Sequence, residues 1–221
     1  TDKAGKPLDK NPFRDARVRK AVSKAINRPA IVERVMEGLA IPAGQLVPDG
    51  FFGWSPNLKP EPFDPDGARK LLAEAGYPDG FGLTLHGPNN RYVNDEKICQ
   101  AVVGMLAKIG IKVNLRAQTR NLYFAKILRK ADFKPGETSF YMLGWSPAQT
   151  YDVHNVFEAL IQTPNAATKK GQFNAGGYSN PEVDKLADAM EQETDKAKRD
   201  AMIAKATKLY RRRIFLYCSH D

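Results

Sequence analysis

Gly144 and Trp145 close an apolar run, and a few residues later Tyr151, Asp152, His154 and Asn155 crowd into one short stretch. A site for a small solute needs an aromatic or apolar wall and a few fixed polar groups. Trp145 supplies a rigid ring with one N–H donor, and Gly144 lets a backbone approach a ligand closely. The same indole would serve equally well as a plug in a core. Asp152 could pair with a ligand ammonium or cap a helix over 153–161, Asn155 could bond a peptide group, and Tyr151 adds a second ring beside them. Arg91 follows a strand in the segment Pro88-Asn89-Asn90-Arg91-Tyr92. Its planar fork suits a carboxylate, and the competing reading is an ion pair with Asp95 or Glu96.

Catalytic patterns are harder to find. No Ser/His/Asp order comes with its supporting motif, no Gly-rich loop is set to cradle a phosphate, and no carboxylate pair has a distinctive context. Binding without catalysis and without a cofactor is therefore the expectation. His86 and His154 stand in different elements, which favours structural roles over metal ligation. Cys99 and Cys218 are far apart and have no Cys/His companion at ligand spacing, so no metal site is expected. Cys99 lies in an apolar helical run and reads as a buried thiol.

The elements that must carry these residues are legible in part. Asp15 can cap a first helix whose Val18, Val22, Ala25 and Ile26 share one face, and a second helix over 29–37 turns Ile31, Val32, Val35 and Met36 inward before Gly38. Residues 41–63 hold Pro, Gly and aromatics without periodicity. This predicts a long ordered loop, since that many rings are costly to leave in water. Asp64-Pro65 opens a helix that Gly76 ends. A strand over 81–87 precedes a helix over 94–109 with Ile98, Val102, Met105, Leu106 and Ile109 inside. A strand over 112–118, a helix over 119–131 and an apolar strand over 140–145 follow, the grammar of a sheet covered by crossover helices. Ser179-Asn180-Pro181-Glu182 reads as a capping box for a helix to about 193, and Thr194 or Asp195 caps a last helix to about 212.

The chain has 221 residues, 42% of them hydrophobic, which is enough for a sizeable core. Its formal charge is +9, but Lys and Arg recur beside acids along the helices instead of gathering in one patch. That is the pattern of solvated helix faces, and nucleic-acid binding is not expected. No run approaches the ~18 apolar residues that span a bilayer, and the first residues carry no signal-peptide pattern. A soluble chain is expected, with any export signal outside it.

Several stretches together resemble the family 5 solute-binding proteins, the peptide- and nickel-binding branch of the periplasmic binding proteins. They are Asn11-Pro12-Phe13 with Arg17-Val18-Arg19-Lys20-Ala21, Tyr77-Pro78-Asp79-Gly80-Phe81, Asn90-Arg91-Tyr92-Val93-Asn94-Asp95, Gly110-Ile111-Lys112-Val113, Gly144-Trp145, and Gly177-Tyr178-Ser179-Asn180-Pro181-Glu182-Val183-Asp184. The resemblance implies an α/β fold, one lobe of a type II periplasmic binding protein, with a short mixed sheet flanked by helices. It implies residues 1–221 as a single lobe, the second of two, with the first lobe missing and an atypical tail over 211–221 where relatives carry a Pro-Leu-His-like sequence. It also implies a role as substrate-binding component of an ATP-binding cassette importer in the periplasm, with a membrane permease as partner and an oligopeptide or related small solute in a cleft that Trp145 borders; Arg91, Tyr151, Asp152 and Asn155 stand beside it as ligand-binding candidates on their own chemistry. The family's Asp shortly after Gly-Trp is not matched, since Ser146, Pro147 and Ala148 stand there. A peptide-binding sensor or chaperone module without a transporter is the alternative.

Overall fold

A computed structural model describes residues 1–2, 5–128, 139–210 and 218–219. After a 3-10 turn at Pro12–Arg14 come α1 (Ala16–Ala25), α2 (Arg28–Arg34), β1 (Ile41–Pro42), α3 (Pro65–Glu74), β2 (Gly82–Pro88), α4 (Asp95–Ala107), β3 (Lys112–Gln118), α5 (Arg120–Ile127), α6 (His154–Val156), a π turn at Phe157–Ile161, α7 (Pro181–Gln192), α8 (Lys196–Tyr210) and β4 (Cys218–Ser219). The architecture is mixed α/β. β2 and β3 pair in parallel through the α4 crossover, and β1 pairs antiparallel with β4.

The local signals explain most of these boundaries. Asp15 accepts the Arg17 N–H at 2.8 Å and starts α1, whose Val18, Ala21, Val22 and Ala25 are buried. Asp64 accepts the Gly67 N–H at 2.8 Å and also takes the Lys24 ammonium at 2.9 Å, so one carboxylate caps α3 and ties it to α1. α2 is shorter than its pattern and buries Ile31, and Met36 beyond it is buried too, while Val32 and Val35 are only half-covered. These helices pack with Leu72, Phe81, Leu85, Ile98, Val102, Leu106 and Ile111 into the larger core.

The register of β2 against β3 is set by two glycines. Gly80 and Gly110 both have φ near +80°, at +76° and +84°, and a Cβ on Gly80 would fall 1.9 Å from the Gly110 carbonyl oxygen. Only chains without side chains there can touch so closely. The Lys112 N–H then bonds the Phe81 carbonyl at 2.9 Å, and the ladder runs from Gly82 opposite Lys112 to Pro88 opposite Gln118.

Four expectations change. The strand over 140–145 is reduced to a single parallel bridge of Tyr141 to His86, made by the His86 N–H to the Phe140 carbonyl and the Met142 N–H to the His86 carbonyl. The helix over 153–161 is one turn of α6 followed by the π turn. The cap of α7 is Asn180, which accepts the Glu182 N–H at 3.0 Å, while Ser179 instead accepts the Thr163 hydroxyl at 2.9 Å. The 41–63 loop does bury part of its aromatic surface, but Phe52 and Phe63 remain 56% and 45% exposed. Residues 129–131 of the expected fifth helix and nearly all of the 211–221 tail lie outside the described residues.

A second core lies under α6, α7 and α8, built from Val156, Phe157, Ile161, Val183, Ala187, Met190, Ile203 and Ala206, with Trp54 and Trp145 against it. Among the described residues no helix is long and apolar enough to cross a membrane.

Candidate functional site

The segment from Gly144 to Asn155 joins the sheet edge to the second core. Trp145 donates its indole N–H to Asn155 Oδ1 at 2.8 Å and sets its ring edge-on to Phe173, with centroids 4.9 Å apart. The indole is half-buried. One side packs on the second core and another borders a hollow of about 520 Å³, shared with Leu85, Tyr92, Ile98, Val102, Met142 and Gly144. Both sequence readings of Trp145 therefore hold at once, since the ring is a partial core residue and a wall. Asn155 is the piece that fixes its angle.

Gly144 is required by what faces it. A Cβ there would lie 2.7 Å from Cε1 of Tyr92, whose hydroxyl donates to the Gly144 carbonyl at 3.2 Å. Tyr92 stands in the quoted motif but is not among the sequence candidates, because a lone loop tyrosine carries less signal than the carboxylate-matching fork of Arg91 beside it. Burial raises the Tyr92 phenol above its ordinary value, so it stays protonated and remains a donor.

Among the described residues Arg91 makes no ion pair with Asp95 or Glu96, the reading that competed with a carboxylate clamp. Asp95 is buried and turns its carboxylate to the loop backbone, accepting N–H groups from Arg91 at 2.9 Å, Tyr92 at 3.0 Å and Glu96 at 2.8 Å. The guanidinium is exposed and lies 4.9 Å over the Tyr92 ring. Arg91, Tyr92, Gly144 and Trp145 thus form one contiguous strip, with a positive fork at one end and an indole at the other.

Tyr151 and Asp152 are held against the loop at Phe51 and Phe52. The Phe52 N–H bonds the Tyr151 carbonyl at 2.9 Å and the Val153 N–H bonds the Phe52 carbonyl at 3.0 Å, which pins this turn to the aromatic loop. Tyr151 adopts φ +52°, is 58% exposed and stacks at a tilt on Phe51, centroids 4.9 Å apart. Asp152 accepts the His154 N–H at 2.8 Å, and its other oxygen meets the Arg199 guanidinium at 2.9 Å. Asp152 thus holds the backbone just ahead of the turn, whose own N-cap position is Val153. Its partner on α8 had no sequence signal, because the pair joins residues 47 positions apart in the chain.

Trp145 alone of the five candidates borders the 520 Å³ hollow, and Asn155 reaches it through Trp145. A larger open groove of about 1150 Å³ runs between α1, the 43–61 loop and α8, and none of the five lines it.

Residues 4–168 match the family model described as bacterial extracellular solute-binding proteins, family 5 middle. The glutathione-binding protein GsiB of Salmonella choleraesuis is 37% identical over 177 residues, covering 80% of this chain and 33% of that protein. Among solved structures, the periplasmic binding protein DppA of Helicobacter pylori in complex with the peptide STSA superposes with a TM-score of 0.78 at 27% identity, over 92% of this chain and 38% of that one. A dipeptide-binding protein from Pseudoalteromonas in complex with Met-Leu gives the same TM-score of 0.78 at 27% identity, over 93% and 39%. The chain spans about a third of the length of the curated relatives it matches.

Proposed function

We propose, because this chain belongs to the bacterial extracellular solute-binding proteins of family 5, that it is one ligand-binding lobe of the substrate-binding component of an importer, taking a short peptide or a peptide-like solute. The observation that carries the reading is the strip from Arg91 to Trp145. Relatives named for glutathione, a tetrapeptide and a dipeptide share a ligand chemistry of amide groups ending in a carboxylate. A guanidinium laid over Tyr92 matches the carboxylate, and an indole held by Asn155 matches a side chain or an amide face. Tyr151 supplies a further exposed ring. Asp152 keeps the turn in place through the His154 N–H and Arg199, and in that position its role toward a ligand ammonium is secondary.

Transport needs more than this chain. A periplasmic location, a permease in the membrane and an opposing lobe are parts of the same proposal, with closure about a hinge trapping the solute. Weak binding by one lobe is compatible with a direct test. Nitrogen-detected resonances of the Trp145 indole and the Arg91 guanidinium should move when a short free-acid peptide is added, and amidation of its C-terminus should abolish the Arg91 response. If neither resonance moves while others do, the strip is not the solute site.

A further inference from the structure

The two faces of the β2–β3 sheet are chemically unlike. Leu85 points to the face that borders the Trp145 hollow, so by strand alternation Thr84 and His86 point to the opposite one. There a separate hollow of about 460 Å³ is lined by Thr84, His86, Arg116, Ala117, Gln118 and Lys126. His86 and Arg116 are register partners on adjacent parallel strands, and Lys126 comes from α5 packed over them.

Among the described residues, every hydrogen-bonding or charged side chain in that lining can donate, and none is a carboxylate. Several cations elsewhere in the chain are matched, Arg17 with Asp15, Lys24 with Asp64 and Glu61, Lys170 with Asp188 and Arg199 with Asp152, whereas the hollow places two unmatched cations beside each other. Among the described residues neither Arg116 nor Lys126 has an acidic partner. A fork, an ammonium, a hydroxyl and a buried imidazole around one polar hollow make a binding site for negative charge.

We propose that this hollow is a second site, distinct from the solute strip, for a tetrahedral divalent oxyanion of the phosphate or sulfate type. Arg116 grips two oxygens of the anion, Lys126 neutralises it from the helix side, and Thr84 and His86 fix its remaining oxygens from the sheet. The site lies on the sheet face away from Trp145, so it is occupied whether or not a solute is bound.

Calorimetric titration of the 221-residue chain with inorganic phosphate and, separately, with sodium sulfate in a chloride buffer tests this. Saturable binding with one site is expected for at least one of the two anions, and their order tells which oxyanion fits. Arg116→Gln and Lys126→Gln are each expected to weaken it about tenfold, with unchanged circular dichroism, whereas Lys20→Gln in the α1 groove leaves it intact. Equal affinity in all variants, or no saturation by either anion at millimolar concentration, overturns the proposal.

Discussion

Cys99 shows how one side chain records its surroundings. Its thiol is buried on α4, 3.5 Å from the Met142 sulfur, and a Cβ on Gly87 of the neighbouring strand would lie 2.7 Å from its own sulfur. Burial first, and then the carboxylates of Asp95 and Glu96, push its pKa from 9.0 up to about 12. Below pH 9 the folded and unfolded chains both hold the proton, so the shift costs nothing there. As the pH rises from about 9 toward about 12 the unfolded chain sheds the proton and the native one does not, and stability falls by on the order of 4 kcal/mol across that window. Denaturant titrations should therefore show a shallower alkaline decline for Cys99→Ala than for the wild type, and an identical decline would refute the assignment. That Cys99 is buried could be read from its helical run. That Asp95 would spend its carboxylate on the Arg91–Tyr92 backbone, leaving the guanidinium on a ring, could not, because the choice depends on the turn that Asn94 makes at φ +54°.

At the scale of elements, what is local in sequence was legible and what depends on a distant neighbour was not. The caps of α1 and α3 follow from an Asp and the N–H two or three residues later, and β3 spans the run its alternation predicts. The 140–145 run has equally good strand composition, but a strand exists only through its partners, and beside His86 only Tyr141 completes a bridge. The Tyr77–Phe81 and Gly110–Val113 stretches carry the family resemblance in the sequence, and in the structure they hold the register of the strand pair. With Gly80 and Gly110 in contact at positive φ, a methyl on Gly80 meets both a backbone penalty and a carbonyl oxygen. Gly80→Ala is expected to cost about 3 kcal/mol or more, measured by urea unfolding. Gly104→Ala, whose Cβ meets nothing within 4 Å on the exposed side of α4, is the control and should be neutral or stabilising. Equal effects of the two would mean that the glycine contact does not set the register.

For the whole molecule, on the proposed function, the deciding quantity is how much of a solute this chain alone could cover. Small-molecule sites bury about 70–90% of the ligand surface, and the strip from Arg91 to Trp145 is a wall with one side open, its guanidinium exposed. This chain matches about a third of the length of relatives that bind glutathione, which leaves ample chain in those proteins for an opposing wall. Each additional 110 Å² or so of apolar ligand surface that such a wall removes from water contributes about 2.7 kcal/mol, or roughly a hundredfold in affinity. A solute that contacts only this strip should therefore bind in the millimolar range or weaker. Joined to the remainder of a GsiB-like protein, the same sequence should bind it at least about a hundredfold more tightly. Only the joined form should contract on saturation, because closure needs two bodies, and small-angle scattering reads that directly. Micromolar binding by the 221-residue chain alone, with no change when the second wall is added, would show that the strip is a complete site and that the open side has no function in capture.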